Sequence, residues 1–95
     1  MTFQEIEYIL TLCEEKSFSG AAAKLFITQQ GLSKAIKKLE QELMFPLFER
    51  TKQGLVLTQS GEELYPALLE YRAVQARLDK RVEDIRQANR KIHLG

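Results

Sequence analysis

The chain has one cysteine, one histidine and two prolines in 95 residues, and almost no excess of charge of either sign. Each scarcity excludes something. A lone Cys13 rules out an intramolecular disulfide framework. Its spacing puts it on the core face of the first helix, where a thiol reads as a small buried apolar group. The only histidine, His93, lies in the last few residues, so no Cys/His cluster is available to hold zinc, and no glycine-rich phosphate loop is present. The adjacent carboxylates Glu14-Glu15 and Glu62-Glu63 fall at helix ends or first turns, where solvation or the helix dipole accounts for them. No constellation of residues that would build a catalytic site is evident, and an enzyme is the weakest reading. No cofactor or metal is expected in this chain.

Long apolar runs are missing too. Nothing approaches the ~18 consecutive apolar residues of a membrane span. No basic N-terminal region is followed by an apolar stretch. The expectation is a soluble cytoplasmic protein with no membrane partner. The formal net charge of +1 argues against a generic polyanion binder. Its distribution is more informative. Residues 1–30 carry two lysines against four glutamates, and residues 31–57 carry five basic against three acidic residues. Residues 58–95 carry seven basic and six acidic. A chain this short buries only roughly 60–65% of its unfolded surface, so one modest core is all it supports, and a terminal helix needs a partner.

Helices dominate what is there. Thr2-Phe3-Gln4-Glu5 has the capping-box pattern, and Ile6, Ile9, Leu10 and Cys13 form an i, i+3, i+4, i+7 face over about Phe3 to Glu15. Tyr8 and Leu12 widen that face beyond a single packing contact, which predicts a second element alongside. Ser17 can cap a short second helix, Phe18 to Leu25, whose Gly20-Ala21-Ala22-Ala23 allows another helix to cross closely. After Phe26-Ile27, Thr28 caps a third helix over about residues 28–43. On it Leu32, Ile36, Leu39 and Leu43 make one narrow apolar stripe, while Gln30, Ser33, Lys34, Lys37 and Gln41, with Lys38 at the edge, hold the opposite face. A solvated helix also looks like this. The short alanine-rich helix immediately before it makes the pair a helix-turn-helix pattern, with the third helix placed to read a major groove.

Pro46 then forbids helix continuation. Phe48-Glu49-Arg50 and Leu55-Val56-Leu57 read as two short strands joined by Thr51-Lys52-Gln53-Gly54. A basic hairpin behind a recognition helix is the wing of a winged helix, able to put Arg50 and Lys52 on a phosphate backbone or a minor groove; a hairpin that only closes the core has the same pattern. Thr58 caps a long helix carried by its periodicity to about Arg90, with Pro66 in its second turn. Leu64, Leu68, Tyr71, Leu78, Val82, Ile85 and Ile92 form a heptad-like stripe, with Gln75 and Asn89 in the remaining seam positions and a mixed-charge surface on its flanks. That stripe predicts pairing with the same helix of a second chain.

The stretches SFSGAAAKLFITQQGLSKAIKKLEQEL, PLFERTKQG and LVLTQSGEELYP resemble the N-terminal DNA-binding domain of LysR-type transcriptional regulators. The resemblance runs from about Phe3 to Pro66 without a gap, and the helix after it is similar to the family's linker helix. It implies a mainly α fold: a winged helix-turn-helix over residues 1–58, then a dimerising linker helix over residues 59–92. It also implies a bacterial regulator whose C-terminal effector-binding domain is absent from this chain and would take a small-molecule effector. The implied partners are double-stranded DNA bearing an imperfect inverted repeat, a second copy of the chain with tetramers at full length, and RNA polymerase indirectly.

Carried over residue by residue, the resemblance implies base contacts from Gln29, Gln30, Ser33, Lys34 and Lys37, and backbone contacts from Ser17, Thr28, Arg50, Thr51 and Lys52. The chemistry agrees with that division, since an amide pairs bidentately with adenine, a hydroxyl takes either role and an ammonium neutralises phosphate. Three positions depart from the family. Gln30 stands where proline is usual, Gly31 where a small side chain is usual, and Met44 where a glycine usually ends the recognition helix. A left-handed Met44 would cost on the order of 1 kcal/mol, so the expectation is either tolerated strain or an altered turn. The alternative to DNA binding is a protein–protein interaction or dimerisation module on the same winged helix, favoured by the near-neutral charge.

Overall fold

The first three helices begin where the sequence places their caps. In the computed structural model, which describes residues 1–94 and side chains through Lys91, α1 spans Phe3–Glu15, α2 Phe18–Leu25 and α3 Gln29–Leu43. Strands β1 (Phe48–Thr51) and β2 (Gly54–Leu57) follow, and α4 runs from Gln59 to Leu94. The hydroxyls of Thr2, Ser17, Thr28 and Thr58 each accept a backbone N–H from the residue three further on, at 3.0–3.1 Å. Thr2 and Glu5 complete a reciprocal capping box.

The three helix ends are less ordinary. Lys16, Phe26 and Met44 all close their helices in the left-handed region, with φ of 59°, 59° and 68°. None is glycine, so each carries a steric cost that its terminal hydrogen bond offsets. Of the two outcomes open for Met44, the structure has the strained left-handed one, with its N–H on the Glu40 carbonyl at 2.9 Å.

One core holds the helices and the hairpin together. Ile6, Ile9, Leu10 and Leu12 from α1 meet Ala21 and Ala22 from α2 and Leu32, Ile36 and Leu39 from α3. Leu47, Leu55 and Leu68 close it. The wide apolar face of α1 is explained, because α2, α3 and α4 all pack on it. Cys13 is half-buried against this core, not fully enclosed, and burial followed by the Glu14 charge pushes its thiol up to about 11.

The strands pair antiparallel with Phe48 opposite Leu57 and Thr51 opposite Gly54. Thr51 and Gly54 thus belong to the ladder, and the turn is only Lys52-Gln53. Gly54 has φ of 107°, and a Cβ there would sit 3.1 Å from the Lys16 carbonyl, which accepts the Leu55 N–H at 3.1 Å. The hairpin is seated on the end of α1. At its far end, the Thr58 N–H donates to the Leu47 carbonyl at 2.9 Å, and Gly61 lies so close that a Cβ would be 2.5 Å from that same oxygen.

The first turns of α4 belong to the core, and the rest leaves it. Leu68 is 4% exposed, and Leu64 is half-buried beside it. This corrects the expectation that Leu68 serves a partner chain, since it is enclosed inside the protomer, while Leu64 keeps part of its surface. The stripe runs continuously from core to surface, so its periodicity does not mark where intramolecular burial stops. Beyond it Tyr71, Val74, Leu78, Val82 and Ile85 are exposed. Val74 was not on the expected seam. The side chains of Ile92 and His93 lie outside the described residues, as does Gly95. The helix continues four residues past the expected end at Arg90, and the molecule measures 60 Å along its longest axis.

Candidate nucleic-acid interface

The stripe Leu32, Ile36 and Leu39 is buried, which turns the other side of α3 to solvent. Gln29, Gln30, Ser33, Lys34 and Lys37 all lie exposed there and line one shallow surface. All five side chains expected to read bases are therefore brought together. Lys38 and Gln41 extend the same exposed face by another turn. Among the described residues, none of Lys34, Lys37, Arg50 and Lys52 enters an ion pair. All four are exposed to solvent.

The wing stands next to this face. A cleft between α2, α3 and the hairpin is lined by Phe18, Ser33, Lys37, Glu40 and Arg50, and a neighbouring one by Ser17, Gln29, Arg50 and Thr51. The Arg50 guanidinium carbon lies 5.6 Å from the Phe18 ring centroid, within cation–π range. Glu40 fixes the other side. One of its carboxylate oxygens accepts the backbone N–H groups of both Leu47 and Phe48, the latter at 3.3 Å. The segment entering the wing is thereby tied to α3 itself.

The expected backbone contacts differ in what the fold leaves free. Ser17 and Thr28 accept from Gly20 and Gly31 as caps, so each hydroxyl still has its proton to donate, beside the unpaired N–H groups of a helix start. Thr51 is committed: its hydroxyl donates to the Gly54 carbonyl at 2.9 Å and accepts from the Gln53 N–H at 3.2 Å. It shapes the turn that presents Lys52, which is exposed at the tip. Phe18 and Glu40 carried no site role in the sequence reading. Their partners are distant in sequence, and only the packed structure pairs them.

Charges on α1, α2 and α4 meet at another point of the surface. Lys24 lies 3.0 Å from Glu14 and 3.6 Å from Glu15, and Arg72 reaches Glu14 at 3.3 Å. The Lys24 hydrogen bond, with Arg72 adding to it, holds the Glu14 carboxyl below the usual carboxylate range. Among the described residues no group of three or more His, Cys, Asp or Glu side chains could hold a metal ion, and no helix is long and apolar enough to cross a membrane.

Comparison with known proteins identifies this arrangement. The chain is 41% identical over 78 residues to the uncharacterized HTH-type transcriptional regulator YbhD of Escherichia coli K12, covering 82% of the chain and 24% of that relative. It is 40% identical over 65 residues to the HTH-type transcriptional regulator BudR of Klebsiella aerogenes, covering 68% of the chain and 46% of that relative. The chain thus spans between about a quarter and a half of the length of these curated relatives. Among solved structures, the BenM DNA-binding domain in its complex with catB site 1 DNA superposes with a TM-score of 0.82 at 30% identity, covering 90% of this chain and 96% of that one. Both of these relatives are transcriptional regulators. The family model for the bacterial regulatory helix-turn-helix protein, lysR family, matches residues 3–62, and the chain belongs to that family.

Proposed function

We propose that this chain binds double-stranded DNA sequence-specifically, with α3 in the major groove and the wing on the backbone or minor groove. One observation carries the reading. Three amide and hydroxyl side chains and two unpaired lysines share the exposed face of α3, beside the wing cation Arg50, on a scaffold similar to one solved on DNA. Gln29, Gln30, Ser33, Lys34 and Lys37 would touch base edges. Ser17, Thr28, Arg50 and Lys52 would hold the phosphates, with Thr51 shaping the turn. Two copies would bind an imperfect inverted repeat, paired through the exposed stripe Tyr71, Val74, Leu78, Val82 and Ile85. In a full-length regulator that stripe would serve dimers and tetramers in the bacterial cytoplasm. A small-molecule effector would act through a further domain, and RNA polymerase would be reached indirectly.

Selection from random duplexes at two salt concentrations tests this. Enrichment of an inverted repeat with half-sites about one helical turn apart or more supports it. Binding should also fall with salt at a log–log slope of about −0.9 per phosphate contacted. No binding at either salt would sink the reading and favour a protein interaction module.

A further inference from the structure

We infer that the contact of Arg72 with Glu14 sets the direction in which α4 leaves the DNA-binding domain, and so selects the spacing between operator half-sites; this rests on the function proposed above. At Glu14 three helices meet on one carboxylate: the residue belongs to α1, its partner Lys24 to α2 and its partner Arg72 to α4. One turn before Arg72, Leu68 is sealed in the core, and next to it the Tyr71 ring lies 6.2 Å from Phe3, tilted by 31°. Beyond Arg72, no described side chain of α4 makes a hydrogen bond or ion pair to another element. Among the described residues Arg72 is therefore the last polar tie between helix and domain.

What lies beyond it is a lever. Past Arg72, α4 continues for about 33 Å at 1.5 Å per residue, which is length enough to pair with a second copy. In a dimer joined along α4 the paired stretch is held, so a change of tilt at Arg72 swings each domain about that point and alters the separation of the two α3 helices. Leu64, Tyr65, Leu68 and Leu69 seat the first turns of α4 on the core, and what remains to be set is its course at the edge of that contact, where the helix departs. The Arg72–Glu14 pair, placed where the helix departs, constrains tilt directly. Glu14 is itself held from behind by Lys24, so it offers Arg72 a fixed anchor. Arg72 and Glu14 are positioning residues, and neither needs to touch DNA.

The pair is half-exposed, and one such pair shifts an equilibrium by up to about fivefold. Two copies act in a dimer. The test measures binding of the unsubstituted chain, R72A and R72K to the repeat recovered by selection, to versions with spacers lengthened or shortened by one and two base pairs, and to an isolated half-site. R72A is expected to reduce the preference for the selected spacing about three- to tenfold, with half-site affinity unchanged and R72K restoring most of the preference. Unchanged spacing preference in R72A overturns the inference alone. Loss of half-site affinity in R72A by the same factor also overturns it, because Arg72 would then act through domain stability. Failure of the unsubstituted chain to bind the half-site would sink the DNA-binding reading itself, and this inference with it.

Discussion

Arg50 lies over the ring of Phe18, 5.6 Å from its centroid, so a cation of the wing is held by the first residue of α2. The contact favours one placement of a flexible side chain, beside α3. Phe18→Leu keeps the apolar contact with the core and removes the ring face. The expected result is a folded domain whose affinity falls about two- to fivefold on every duplex, read by titration at fixed salt. A loss confined to the cognate sequence would contradict this role.

Base reading and charge neutralisation should separate by mutation. Gln30→Ala should cost about 1–3 kcal/mol on the cognate site and relax one base position. Lys52→Ala should weaken cognate and random duplexes alike and lower the salt slope by about one phosphate contact. Equal losses on both duplexes for Gln30→Ala would remove it from base readout.

Two backbone positions make opposite predictions for stability. Met44 is 89% exposed at φ of 68°, so Met44→Gly relieves steric strain while sacrificing almost no packing. Strain relief of about 1–2 kcal/mol, set against the extra unfolded-chain entropy of glycine, leaves a net gain of about 0.5–1 kcal/mol. Gly61→Ala drives a Cβ to 2.5 Å from the Leu47 carbonyl, which is pinned by its bond from Thr58, and should cost about 1–3 kcal/mol. Urea midpoints of the two variants should move in opposite directions.

The seam of α4 is testable by its boundary. Leu78→Asp and Ile85→Asp change exposed positions and should abolish the dimer while leaving helix content intact, as read by sedimentation and circular dichroism. Leu68→Asp should instead unfold the domain, since it puts a charge in the core. A dimer that survives Leu78→Asp would exclude that position from the interface.

Cys13 gives a pH signature. Burial raises its thiol from 9.0 to about 11, so the folded chain retains a proton that the unfolded chain releases first. The associated stability is present in full below pH 9.0 and is lost as pH rises toward 11. At pH 8, alkylation of the native thiol should be roughly 100-fold slower than in denaturant, on thiolate fraction alone. Comparable rates would show the thiol to be open to solvent.

The sequence by itself determined the helices, the caps and the identity of the exposed face of α3. These rest on local rules: a hydroxyl three residues before an amide, an apolar stripe stepping by three and four, and a proline where a helix must stop. Gln29, Gln30, Ser33, Lys34 and Lys37 were legible because burying Leu32, Ile36 and Leu39 leaves them nowhere else to point. Met44 was legible as a choice between two backbone states, and packing chose the strained one. Tertiary structure alone decided which part of the α4 stripe is core, because Leu68 and Leu78 look alike in sequence and differ only in what lies beside them. It also decided that Arg50 rests on Phe18, that Glu40 holds the N–H groups of Leu47 and Phe48, and that Arg72 finds Glu14. Such contacts join side chains whose neighbourhood is created by the chain closing on its core, and no periodicity along the chain encodes them.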